Sequence, residues 1–131
     1  MARTSSATAD DVKDYGVVED RSSELGGYTV NYVTIREAQD LGPILASLPT
    51  GRCECPHWGQ IFQGRMYVTY ASGETETYEA GDAFYMPAGH SPRVDAGTQF
   101  VQFSPTEELV ATEAAIAAAM QSQMQGQMQS Q

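Results

Sequence analysis

The chain has 131 residues, with 17 Asp and Glu against seven Lys and Arg and a net charge of −10. That length holds one domain with one modest core. The acidity excludes nucleic acid and anionic membrane as partners, since both demand clustered positive charge.

In chain order, residues 1–14 are rich in Ser, Thr, Ala and Asp without periodicity and read as a disordered lead-in. The opening Met1–Ser6 lacks the apolar core of a signal peptide, and no stretch approaches the roughly 20 apolar residues of a membrane span. The expected location is therefore the cytoplasm, where thiols usually stay reduced. Residues 28–35 (YTVNYVTI) are β-branched and aromatic and predict a strand. Residues 40–49 are a connector in which Leu41, Ile44, Leu45 and Leu48 suit one short helical turn. Strands follow at 58–62 and 66–70, joined at Gly64, then at 75–78, 83–86, 90–94 and 99–103. The turns between them fall at Ser72-Gly73, Gly81-Asp82, Pro87-Gly89 and Ala96-Gly97. Short strands with turn signals every 8–12 residues predict an all-β sandwich or barrel. Thr106 is a suitable N-cap with acidic residues in the next turn, which predicts a helix over 106–120. Residues 121–131 form a low-complexity Gln/Met tract expected to be disordered. The domain reading is thus lead-in 1–14, barrel 15–105, helix 106–120 and tail 121–131.

The spacing of these turns resembles that of the cupins, whose signatures are G-x5-H-x-H-x3,4-E-x6-G and G-x5-P-x-G-x2-H. Gly81, Pro87 and Gly89 match the second, and Gly64 matches the closing glycine of the first. The resemblance covers about 28–104 and is strongest to small single-domain cupins carrying Cys-x-Cys-Pro-His-Trp-Gly and a later Pro-x-Gly-His. It implies a single cupin barrel (a double-stranded β-helix, or jelly roll) with a short C-terminal helix. The departures are informative. The family's glutamate falls on His57, its second histidine on Cys53, its first on Gly51 and its last on Pro92, two residues after His90. The usual ligand set of three histidines and one glutamate is not present.

A metal site must therefore be argued from Cys53, Cys55, His57 and His90, which are all the cysteines and histidines of the chain. In a regular strand, residues 53, 55 and 57 share a face, as do 90 and 92, so the displaced histidine keeps its inward direction. Same-face neighbours lie about 6.5–7 Å apart and the next pair about 13 Å. Cys55 and His57 then meet on one ion with His90, and Cys53 joins only if the chain kinks at Pro56. A Cys53–Cys55 disulfide is the competing reading, strained across one residue. Thiolate with imidazole selects zinc first, with iron or copper as alternatives. Ile61 shares the His57 face as cavity lining. Tyr85, on the face of Pro87, is a candidate substrate contact.

The expected function is that of a metal-binding cupin with a small-molecule pocket, catalysing an oxygenase, isomerase or lyase step on an unidentified substrate. The alternatives are a non-catalytic small-molecule or metal sensor module and a dimerising structural cupin. A homodimer is the expected assembly.

Overall fold

The computed structural model describes residues 2–129, and the side chains up to Gln121. Ten strands form two antiparallel sheets. The first has six strands in the order β1-β2-β3-β10-β5-β8, and the second has four in the order β4-β9-β6-β7. In sequence these are β1 (Asp11–Asp14), β2 (Val18–Leu25), β3 (Tyr28–Ile35), β4 (Gln39–Asp40), β5 (His57–Gln63), β6 (Arg65–Tyr70), β7 (Thr75–Glu79), β8 (Ala83–Met86), β9 (His90–Val94) and β10 (Gln99–Pro105). The one-turn helix α1 (Gly42–Leu45) and the long helix α2 (Thr106–Gln129) complete the chain.

The β-branched run at 28–35 is β3 with the expected bounds, and the six later strands fall where the turn signals place them. Two departures from the sequence reading lie at the ends of the chain. The lead-in carries β1, whose four residues pair with β2 from Asp11 opposite Ser22 to Asp14 opposite Glu19. Its side chains are all exposed, so no alternation of apolar residues marked it. At the other end α2 runs on past residue 120 to Gln129, because Gln and Met favour helix and only Ser122 and Gly126 interrupt them. Met1, Ser130 and Gln131, which fall in the expected disordered ends, lie outside the described residues.

The two sheets face each other across one core. Ile35, Ile61, Phe84, Met86 and Phe100 come from the six-stranded sheet, and Met66, Val68, Tyr78 and Val94 from the other. Among the described residues no ladder joins one sheet to the other. Gly64 turns β5 into β6 with φ +86°, and a Cβ there would overlap the Cα of Thr98 at 2.5 Å. Only glycine meets both demands. Thr98 in turn binds the Arg65 N–H through Oγ1 at 3.0 Å, which fixes the start of β6 against the 95–98 turn.

A second apolar cluster closes one end of the sandwich. Leu45 of α1, Leu109 of α2, Cys53 and Cys55 are buried together, with Leu41, Leu48 and Ile116 packed against them. The connector thus forms the predicted helical turn, and of the apolar residues singled out in it Leu45 is buried and Leu41 and Leu48 pack against its cluster. Both cysteine segments and the Pro87–Gly89 turn meet at this end, which is where the chemistry gathers.

Candidate metal centre

The segment before β5 does not continue the strand. Cys53 forms an isolated antiparallel bridge with His90: its N–H donates to the His90 carbonyl at 2.9 Å, and its own carbonyl accepts from Gly89 at 2.8 Å. Residues 54–56 then bend before β5 begins at His57. Pro56 lacks an N–H and cannot extend a ladder, so a bend there satisfies the chain. The bend folds Cys53 back over the strand that follows, and Cys53 Sγ comes to 3.9 Å from His57 Nε2. Across the bridge, the His57 and His90 rings lie with centroids 5.0 Å apart.

One ligand atom each from Cys53, His57 and His90 falls within 4.8 Å of the others, and all three residues are buried. This corrects the ligand ranking drawn from strand spacing. Cys53 joins the histidines, and Cys55 does not. The spacing argument assumed an unbroken strand, in which Cys53 stood about 13 Å from His57. The Cys55 thiol instead points to the Pro56 carbonyl at 3.6 Å and to the second cluster. Burial, with Cys53, Glu108 and Glu113 nearby, pushes it up to about 12, so it remains a protonated thiol. Both cysteines are free, and no disulfide links them.

The surroundings fit a metal. His90 Nδ1 lies 2.7 Å from the Pro87 carbonyl, which can only accept, so Nδ1 carries the proton and Nε2 keeps its lone pair. His57 Nδ1 is 2.6 Å from Ser104 Oγ, which holds the ring with Nε2 toward Cys53. Both imidazoles are neutral at neutral pH. Burial, then the neighbouring His90, pushes His57 down to about 3, and burial also lowers His90. Burial raises the Cys53 thiol, so a cation that replaces its proton must offset that desolvation. A soft thiolate and two neutral imidazoles, each imidazole tied through its other nitrogen, form a set suited to zinc or a neighbouring transition metal.

Ser104 and its strand partner Gln102 escaped the sequence reading. On β10, Gln102 and Ser104 share the inward face with Phe100 while the apolar Phe103 is 41% exposed, an inversion of the usual apolar-in pattern at this end of the strand. That inversion is the signal that marks a polar site inside the fold.

A cavity of about 290 Å³ opens from this cluster, between the sheets and under α2. Cys53, His57, His90 and Pro92 line one part of it, and Leu109, Thr112, Glu113 and Ile116 of α2 line another. Two expected contacts lie elsewhere. Ile61 is fully buried in the main core. Tyr85 is 51% exposed on the outer face and stacks on Trp58 at 5.0 Å. Pairing of His57 with Met86 makes Phe84 and Met86 the inward residues of β8, which turns Tyr85 outward.

A family model described as an EutQ-like cupin domain matches residues 53–107, the span from Cys53 to the start of α2. A solved protein described as an RmlC-like cupin, from Shewanella frigidimarina, superposes with a TM-score of 0.50 at 14% identity, covering 72% of this chain and 83% of that one. The chain has the cupin fold. A protein of unknown function from Rhizobium leguminosarum is similar at 23% identity and TM-score 0.57, covering 79% of this chain and 95% of that one. An oxalate decarboxylase from Lactobacillus farciminis is similar at 18% identity and TM-score 0.57, covering 80% of this chain and 33% of the enzyme. At these identities the likeness is one of fold. No match emerges among curated proteins.

Proposed function

We propose that this cupin holds one divalent metal ion through Cys53, His57 and His90 and binds a small molecule beside it. The observation that carries this reading is the convergence of the three ligand atoms within 4.8 Å in a buried site that borders a cavity. Three protein ligands leave a position for water or substrate, the open arrangement of catalytic metals rather than the closed one of structural metals. Zinc suits the donor set best, and iron or copper are the alternatives. When bound, the metal would supply Lewis acidity or activate bound water. The protein's own groups orient both imidazoles, and the Pro87 carbonyl fixes the tautomer of His90. We read the two facing sheets as a cupin jelly roll, and the location as the cytoplasm; no helix among the described residues is long and apolar enough to cross a membrane. Purified protein, reconstituted with zinc and dialysed, should retain one equivalent by mass spectrometry; retention of none refutes the reading. Turnover of a bound small molecule would then separate a metal-dependent oxygenase, isomerase or lyase from a sensor module.

We further propose that two copies pair through the outer face of the six-stranded sheet. Tyr28, Trp58, Tyr85 and Phe103 are all exposed there, with Trp58 stacked on Tyr85 and edge-on to Tyr28 at 6.2 Å. The four aromatic side chains themselves are uncharged on a chain of net charge −10, so a second copy can meet this patch without opposing like charges. Light scattering should give twice the chain mass for the wild type and the single mass for Trp58→Ser/Tyr85→Ser. A monomeric wild type at micromolar concentration refutes the pairing.

A further inference from the structure

The cavity's lining sets the class of molecule it accepts, an inference that rests on the metal reading above. Its walls are apolar almost throughout: Val18, Val33, Ile35, Met66, Phe100 and Ile116 are representative. Among the described residues, no Lys or Arg lines it, and its one carboxylate is Glu113 of α2. A divalent ion bound by the Cys53 thiolate and two neutral imidazoles carries one net positive charge, enough to balance one negative charge on a ligand. A second anionic group would enter an apolar space with no cation to pair it and Glu113 nearby, at a desolvation cost nothing offsets.

One polar group is set apart from these walls. Gln102 lines the cavity on the inward face of β10, one pleat from Ser104, which holds His57. Its carboxamide makes no hydrogen bond to the described protein, whereas Gln39, the other lining amide, donates to the Glu37 carbonyl at 2.9 Å. Gln102 therefore offers a donor and an acceptor beside the metal ligands. At about 290 Å³ the space is at the small end for ligand cavities, which run about 300–1,000 Å³.

We propose that the cavity binds a compact apolar molecule, aromatic or alicyclic, whose single hydroxyl or carbonyl oxygen faces the Cys53–His57–His90 cluster within reach of Gln102. Small dicarboxylates are excluded.

The test is titration calorimetry of the zinc-loaded protein with 1-naphthol and, separately, malonate, with zinc content measured before and after. The expected result is saturable 1-naphthol binding and no malonate binding at the same concentrations. Gln102→Leu, checked for fold by circular dichroism, should weaken 1-naphthol roughly fivefold to tenfold through the lost hydrogen bond. Ile116→Asp, on the α2 face of the cavity, should abolish it. Malonate binding more tightly than 1-naphthol, or 1-naphthol not binding, overturns the proposal. So does 1-naphthol binding that neither substitution changes, which would place the ligand on the aromatic outer face. A protein that retains no zinc fails the metal reading instead, and the same titration on that protein still decides whether the cavity takes 1-naphthol.

Discussion

Replacing Cys53 by Ser or His90 by Ala is expected to weaken zinc binding by roughly a hundredfold or more, while Cys55→Ser leaves it nearly unchanged. The reasoning is geometric. Cys53 Sγ sits 3.9 Å from His57 Nε2 and belongs to the three-ligand cluster, whereas the Cys55 thiol turns to the Pro56 carbonyl. Zinc binding by protein ligands totals about 10 kcal/mol or more, so the loss of one ligand in three removes several kcal/mol. Ser104→Ala should fall between these cases. It leaves every ligand in place but frees His57 from its 2.6 Å tether, and loss of such an outer contact typically costs about 10–100-fold in metal affinity. Competition with a chromophoric chelator measures all four variants. Loss of zinc in Cys55→Ser but not in Cys53→Ser would restore the ligand set that strand spacing alone favours.

The metal-free protein should lose stability on acidification by about 2–3 kcal/mol between pH 6.5 and 4.5. His57 is buried and its imidazole is pushed down to about 3, against about 6.5 in an unfolded chain. Above pH 6.5 neither state binds the proton and the contribution is fully present. Below it the unfolded chain takes up a proton that the folded chain refuses, so stability falls steadily until the pH reaches the folded value. His90, lowered in the same direction, adds to the slope. Asp20 acts with the opposite sign. Burial raises its carboxyl, so its contribution is largest at low pH and offsets part of the loss at the acid end. Urea unfolding at a series of pH values, with chelator present, reads the slope, and His57→Gln should remove most of it. Equal stability at pH 7 and 4.5 would mean that His57 is hydrated rather than buried.

What the sequence made legible follows from which physical signals are local. Turn glycines and β-branched runs are local, and they placed β3 and the six strands from β5 to β10. β2 was hidden because VEDRSSEL lacks apolar alternation; its pairing with β3 over eight residues, from Val18 opposite Ile35, holds it in place. Direction along a strand was legible too. His90 and Pro92 both line the cavity, as their shared parity requires. The parity argument failed where the strand itself failed. Between Cys53 and His57 the chain bends, and a bend reverses which cysteine faces the histidines. Pro56 was the sign of it, but a proline shows that a ladder stops and does not show where the chain goes next. Tyr85 faces outward for a related reason, since pairing of β8 with β5 sets its faces and no sequence spacing reports that register. The role of Ser104 was not legible because it depends on His57, 47 residues away across the β5–β10 ladder.

The most direct test of the central claim is X-ray absorption at the zinc edge on reconstituted protein. The three-ligand site predicts one sulfur scatterer at about 2.3 Å with nitrogen and oxygen scatterers at about 2.0–2.1 Å, including a histidine outer-shell pattern. The sulfur should disappear in Cys53→Ser and persist in Cys55→Ser. Two sulfur scatterers in the wild type would mean that Cys55 closes the site, and a shell without sulfur would place the metal away from Cys53 altogether.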